Sequence, residues 1–337
     1  MTIRRVLLLL SSTLLGVVLI VLLIRGNKVD IAQIWRQLQK VSWINFGTLV
    51  ALNGAVAYLS TEKWRCVDSR LRRPTDSKPR WRESFALTGI GMALGLVLPV
   101  QLGMVTARTI GTFFRGRALP RGAGGTLFEQ SFDLLTVLVF TIASAITLLF
   151  KGKAFMWTGC AAALSCLVLI AAVPTVRLIG LLLFYLAKVA PKNGRVGPAL
   201  RSLSDQQGFI LLSAGICRRL FVLSVIRFGV VVLMAYQTAY ATGAKIPLWH
   251  LAAAAPLVTI AAAVAITPGA LGISEFTFAS VLTLFGTPLS VSVPWTLAYR
   301  VLGTAACFSF AILSAIGLVV ERAAVALVQG NGGTAAL

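Results

Sequence analysis

Glu129 and Asp133 lie four residues apart at the start of an apolar stretch, so a helix there presents both carboxylates on one face. Two carboxylates that close in a low dielectric do not both ionise without cations beside them. Arg108, Arg121 and Arg300 are the cations to consider. Arginine suits a phosphate group because its planar fork bonds two oxygens at once. Arg108 and Arg300, with Gln101, therefore read as contacts for an anionic headgroup. Glu129, Asp133 and Glu275 then balance the charge or carry a proton. The same residues also fit a second reading, a static ion-pair network that fixes a helix bundle. No Ser–His pair or metal-ligand spacing accompanies them. The chemistry expected is binding and release, with no catalytic residue, no metal and no cofactor, so the chain is not read as an enzyme.

These charges sit beside two interruptions of apolar sequence. Pro99-Val100-Gln101-Leu102-Gly103 and Pro268-Gly269-Ala270-Leu271-Gly272 share the pattern P-x-x-L-G, and each follows an apolar run of helical length. Proline removes a helical donor and disfavours helical geometry in the residue before it. Freed backbone groups are costly in lipid unless protein or a wet cavity satisfies them. Pro99, Gly103, Pro268, Gly269 and Gly272 are thus read as helix breaks, which should face one another near the membrane midplane. Paired broken helices point to a transporter's binding site. The half-helix after Gly272 is expected to aim free N–H groups at the same anion. Gly91-Met92-Ala93-Leu94-Gly95 is read as a close helix-packing pattern.

The chain around them is 337 residues long and 58% hydrophobic, with a mean hydropathy of +0.88. No soluble core of this size hides that much apolar surface. The expected fold is all-α, a polytopic transmembrane bundle of about seven to eight spans. Two re-entrant or broken half-helices are expected near 84–107 and 267–290. Residues 1–320 read as one membrane domain, with internal repeats around 43–150 and 249–320, and 321–337 as a short disordered tail.

Span 1 covers about 6–24 and is read as uncleaved, since the apolar run is too long for a signal peptide. The segment 25–42 carries Ile31, Ile34, Leu38 and Val41 at helical spacing and reads as an interfacial helix. Spans follow at 43–61, 126–150, 154–173, near 220–242, at 249–266 and at 292–320. Residues 175–189 read as a short span or an interfacial helix.

Thirty-one Lys and Arg stand against 10 acidic residues, a formal charge of +21. The basic residues fall in loops, chiefly 62–83 and 108–125, which is the pattern of cytoplasmic loops. They attract anionic lipid, and no nucleic-acid partner is expected. The N-terminus, with Arg4 and Arg5, is placed in the cytoplasm. Arg218, Arg219 and Arg227 read as snorkelling anchors. The five cysteines show no metal spacing, and His250 is the lone histidine.

Set in order, these elements resemble the transmembrane region of lysylphosphatidylglycerol synthases, a flippase-like family. The resemblance rests on Pro99 and Gly103 with Arg108, on Glu129 and Asp133, on Pro268 to Glu275, and on Tyr299-Arg300, over about residues 85–310. Ala270, Gln130 and Met104 depart from its pattern. The resemblance implies a lipid-handling protein of the bacterial inner membrane. Its cargo would be an anionic phospholipid or a polyprenyl-phosphate-linked lipid moved between leaflets. No aminoacyl-transfer domain follows in this sequence, so synthase activity is not expected. The alternatives are a non-catalytic membrane partner of a glycosyltransferase or lipid synthase, and a lipid-modifying enzyme.

Overall fold

A computed structural model describes residues 3–26, 30–71, 80–98, 100–113, 119–189, 214–265 and 267–332. Among them there is no strand; the chain is an all-α membrane bundle. Its helices are α1 (Ile3–Gly26), α2 (Ile31–Gln39), α3 (Trp43–Leu71), α4 (Trp81–Val97), α5 (Val100–Phe113), α6 (Leu119–Leu149), α7 (Ala154–Val189), α8 (Ala214–Thr242), α9 (Leu248–Val264), α10 (Ile273–Leu284) and α11 (Leu289–Gly332). Among the described residues four stretches are long and apolar enough to cross a membrane by length and composition: 122–149 of α6, 154–171 of α7, 215–242 of α8 and 289–320 of α11.

Trp43 and Leu71 mark two faces of the bundle. At about 1.5 Å per residue, α3 spans about 43 Å, from the far face at Trp43 to the basic face beyond Lys63. α6 and α8 end at the far face, where the turn Lys151-Gly152-Lys153 and Gly243 lie, and α8 touches α3 there through Gln237 Nε2 to Asn45 Oδ1 at 3.2 Å. α2 lies at this face too. Asp30 caps it by accepting from the Ala32 N–H at 2.9 Å, and Ile34 is buried with Leu23, Ala279, Val293 and Leu297. The amphipathic helix expected there is present.

Two hairpins organise the interior. α4 descends from the basic face, where Trp81 Nε1 donates to Glu62 at 2.9 Å, and α5 returns beside it. Gly91 faces Met104 and Ala107, Leu87 faces Gly111, and Gly95 faces Gly103. The buried face of α4 is Ser84, Ala86, Thr88, Gly89, Gly91, Ala93 and Gly95. Small residues let two backbones approach this closely. The packing role expected of Gly91 to Gly95 is therefore what they do. A methyl group at Gly103 would overlap the backbone of Gly95 and Gly91, and backbone cannot step aside as a flexible side chain can. Gly103→Val is accordingly expected to open this hairpin at the upper end of the overpacking range, about 3 kcal/mol, read as a lowered unfolding temperature of the detergent-solubilised protein. A Gly103→Val protein as stable as wild type would show that the two arms do not touch.

The second hairpin enters from the far face. α9 descends, the turn Pro268–Ala270 follows, and α10 climbs back. His250 Nδ1 lies 2.8 Å from Thr287 Oγ1, and Trp249 meets Phe285 edge-on at 5.7 Å, so both ends of this hairpin lie at one level. Ser144 of α6 donates to the Ala253 carbonyl at 2.8 Å and accepts from Trp157 Nε1 at 3.0 Å, tying α9 to α6 and α7. The sequence places a span at 249–266. α9 is instead the descending arm of a hairpin, because the Pro268–Gly269 break turns it back before the basic face.

Other expected boundaries move as well. Residues 62–71, expected in a loop, continue α3, since no proline or glycine stops the helix before Pro74. Arg108 lies on α5, not in a loop, and 119–125 belong to α6. Residues 175–189 continue the backbone of α7. Residues 321–332, expected as a disordered tail, continue α11. Ala323, Ala324 and Ala326 are strong helix formers and explain the extension. Arg115, Arg117, the segment 190–213 and the last residues 333–337 lie outside the described residues.

Candidate functional site

Residues of α3, α5, α6 and α8 bring five charges together near the basic face. Glu129 on α6 sits between Arg108 of α5, whose Nη1 bonds Oε2, and Lys63 of α3, whose Nζ lies 3.0 Å from Oε1. Lys63 also donates to Asp133 Oδ1 at 2.5 Å and to Ser224 Oγ at 3.1 Å. Its three ammonium protons are thereby used. Asp133 then meets Arg227 of α8 at 3.4 Å. Ser60 of α3 joins the two arginines: its carbonyl accepts from Arg108 Nη2 and its hydroxyl from Arg227 Nε, each at 3.0 Å. Thr88 accepts from Arg108 Nη2 at 3.1 Å, and the guanidinium lies 4.9 Å from the Trp64 ring centroid.

Burial grades this chain of charges. The side chains of Lys63 and Arg108 are fully buried and Glu129 is 2% exposed, whereas Asp133 is 20% and Arg227 28% exposed. The chain is closed at the Arg108 end and open at the Arg227 end. Buried pairs of this kind cost desolvation and hold only with good geometry and full hydrogen bonding. One donor lacks that: Arg108 Nε is buried with no partner among the described residues.

The second constellation lies at the hairpin tips. The Gly269 N–H donates to the Leu98 carbonyl at 3.1 Å, so the two breaks meet directly. Gly269 adopts φ 54° and Gly272 φ 82°, left-handed values that glycine takes without strain. A Cβ on Gly269 would stand 2.5 Å from the Leu96 carbonyl oxygen and 3.0 Å from Arg300 Nη2. Gly16 of α1 packs against Leu271 and Gly272 and covers this break from the side. The Thr267 hydroxyl is buried here with no partner among the described residues.

Glu275 takes a role that the sequence assigns to a ligand. Its Oε2 accepts from the Gly272 N–H at 2.6 Å, and its Oε1 lies 3.3 Å from Arg300 Nε. The N-terminus of α10, expected to face an anion, is occupied by the chain's own carboxylate. An acidic residue three positions into a helix satisfies the free donors and the positive end of the dipole. Glu275→Ala is expected to destabilise the protein by about 1–2 kcal/mol and to free Arg300. Thermal unfolding of the two proteins in the same detergent measures this, and Glu275→Gln should recover part of the loss by keeping an acceptor.

The set read as one site is thus two. Arg108, Glu129 and Asp133 stand together; Glu275 and Arg300 stand at the tips with Gly269 and Gly272. Arg108 stands ten positions after Leu98, eight of them along α5 from Val100, about 12 Å of helix. Pro99 lies outside the described residues, as do the side chains of Gln101 and Arg121. Lys63 and Arg227 belong to the first cluster and were not read as site residues. The signal that finds Lys63 is spacing: Val56, Ser60, Lys63 and Val67 recur at 4, 3 and 4 residues and all are buried. Arg227, read as a snorkelling anchor, is instead held by Asp133 and Ser60 because α8 turns it inward. Among the described residues no group of three His, Cys, Asp or Glu is placed to hold a metal ion. A recess of about 320 Å³ lined by Tyr236, Tyr240 and Lys245 lies at the far face, away from both clusters.

The family model of the lysylphosphatidylglycerol synthase TM region matches residues 8–311. The chain belongs to this family. The match covers both hairpins and both charge clusters. It makes the chain an integral membrane protein of the lipid-synthase or flippase-like kind. No curated protein and no solved structure matches it.

Proposed function

We propose that this member of the lysylphosphatidylglycerol synthase TM region family is a lipid translocator. It moves an anionic phospholipid or a polyprenyl-phosphate-linked lipid between leaflets of a bacterial inner membrane, with no chemical step. The basic face, with the N-terminus, is then cytoplasmic. One observation carries the reading: hairpins from opposite faces meet tip to tip through the Gly269–Leu98 hydrogen bond. On this reading the contact lies near the midplane of a hydrocarbon core about 30 Å thick. Retracting either hairpin opens the middle of the bundle toward one face only, as alternating access requires. The irregular backbone there suits polar cargo, since such backbone is tolerated at depth where it lines a cavity. The lipid's tails need no site and stay in the bilayer.

Reconstitution into vesicles with a fluorescent lipid in one leaflet tests this. The expected result is protein-dependent exchange of an anionic lipid, read by quenching of the outer leaflet. Unchanged leaflet distribution across several headgroups would overturn it. The saturation of Lys63 by Glu129, Asp133 and Ser224 favours a second reading, a static partner of a glycosyltransferase or lipid synthase. Full rescue of a deletion phenotype by a protein neutralised at Arg108, Glu129, Glu275 and Arg300 would support that reading instead.

A further inference from the structure

His250 is the lone histidine of the chain, and neither charge cluster uses it. It stands in the first turn of α9, where its backbone N–H donates to the Pro247 carbonyl at 3.0 Å. Its Nδ1 lies 2.8 Å from Thr287 Oγ1. Thr287 is itself fixed to the last turn of α10. Its N–H donates to the Leu282 carbonyl at 2.9 Å, and the Gly286 N–H donates to the Thr283 carbonyl at 3.0 Å. One side-chain contact thus joins the two far-face ends of the second hairpin. Aromatic rings close over it. Trp249 stands edge-on to the imidazole at 4.2 Å, and Phe285 lies 6.3 Å from it. His250 is 8% exposed and Thr287 3%.

This mouth holds a neutral imidazole well and a charged one badly. Thr287 can give its hydroxyl proton to Nδ1 or accept one from it, but burial disfavours the charged ring. Nothing offsets that cost. Helices α6, α8 and α10 pack against α9, and among the described residues no titratable side chain on any of them acts on the ring. Lys151 and Lys153 of the α6–α7 turn and Lys245 before α9 are exposed cations of the same face. Glu275 stands at the opposite end of α10, paired with Arg300 of α11. A proton on His250 is therefore accommodated when the two ends part and water reaches the ring. Histidine is the side chain that makes this change near neutral pH. The closed mouth is favoured above the imidazole's titration and is lost as pH falls through it.

We propose that His250 and Thr287 form an acid-released latch on the second hairpin, closed at neutral pH and opened when the far face is acidified. The latch stands on the hairpin geometry. Its use, freeing that hairpin to retract during exchange, rests on the translocator reading above.

The test uses the full chain in nanodiscs, purified by a tag without histidine and with its five native cysteines replaced by alanine or serine. Nitroxides on Leu248→Cys and Leu284→Cys report the mouth, since both side chains are exposed at the ends of the two arms. Double electron–electron resonance measures their separation at a series of pH values. The magnetic resonance signal of the single nitrogen-labelled imidazole gives the titration of His250 directly. The separation should lengthen on acidification, with the same midpoint as the imidazole. The open fraction should rise up to about tenfold for each pH unit by which closing displaces that titration. His250→Gln can still hydrogen-bond Thr287 but gains no proton, and its separation should not change with pH. A separation constant with pH when His250 is present, a midpoint apart from the imidazole's, or the same lengthening in His250→Gln overturns the proposal. The match of midpoints is read with His250 in place, so it does not depend on the variant folding. Leaflet exchange of an anionic lipid, followed over the same pH range, should speed up as the mouth opens. No exchange at any pH overturns translocation and leaves the latch standing. Exchange that ignores pH while the labels part overturns the latch's control of transport.

Discussion

Glu129→Ala should destabilise the protein by about 3–5 kcal/mol, the cost of removing one partner from a buried ion pair. The number follows from what is left behind. Lys63 and Arg108 are fully buried, and Glu129 is the carboxylate that both share. Without it, Arg108 keeps the Ser60 carbonyl and the Thr88 hydroxyl, and Lys63 keeps Asp133 and Ser224. Three cations, Lys63, Arg108 and Arg227, then face one carboxylate across four helices. Glu129→Gln should cost less, because the amide oxygen still accepts a hydrogen bond. Arg108→Met combined with Glu129→Ala should cost less than the sum of the single changes, since residues in one network are not additive. Thermal unfolding in a single detergent measures all four proteins. A Glu129→Ala protein of wild-type stability would show that water reaches these cations, and the dry ion-pair chain would have to be abandoned.

Gly269→Val should have the largest effect on transport of any single change at the tips. Its φ of 54° lies where β-branched residues are genuine outliers, at a cost of about 1–3 kcal/mol. Its Cβ would also stand 2.5 Å from the Leu96 carbonyl oxygen, a backbone atom that cannot rotate away. The contact between hairpins must then separate, and Arg300, 3.0 Å from the same point, must shift. Leaflet exchange by the reconstituted variant should fall at least about tenfold, the factor that corresponds to about 1.4 kcal/mol. Gly286→Ala is the control. It replaces a glycine of positive φ at the far end of the second hairpin, where an added Cβ meets nothing within 4 Å. It should lose stability from strain while keeping most exchange. Equal loss in both variants would mean that strain, and not the tip contact, explains the effect.

The breaks were legible in the sequence because they are local. Proline and glycine act on the residues beside them, and P-x-x-L-G stands out in apolar sequence. That the two breaks meet also followed, from their shared pattern and position. The basic loops on either side gave the direction of the first hairpin; the direction of the second did not follow, because it depends on how many times the chain crosses between Leu149 and Leu248. Residues 175–227 mix apolar and basic residues and gave no crossing count. Lys63 was missed for another reason. A tally of loop charges groups it with Arg70 and Arg72, and only the extension of α3 past its apolar run turns it inward. Glu275 was seen as a buried carboxylate but assigned to a ligand's surroundings. The spacing from Gly272 to Glu275 is that of a capping residue, and a local partner came before a distant one.

The most direct test locks the hairpin tips together. Leu98→Cys with Ala270→Cys places two thiols across the contact that the Gly269–Leu98 hydrogen bond makes, in a protein whose five native cysteines are replaced by alanine or serine. Leaflet exchange of an anionic lipid is then followed before oxidation, after oxidation and after reduction. The result expected is a ready cross-link, exchange that stops when it forms, and exchange that returns on reduction. A cross-link that forms fully while exchange continues at the wild-type rate would contradict transport through the paired hairpins. Failure of the thiols to join under any oxidant would contradict the contact itself.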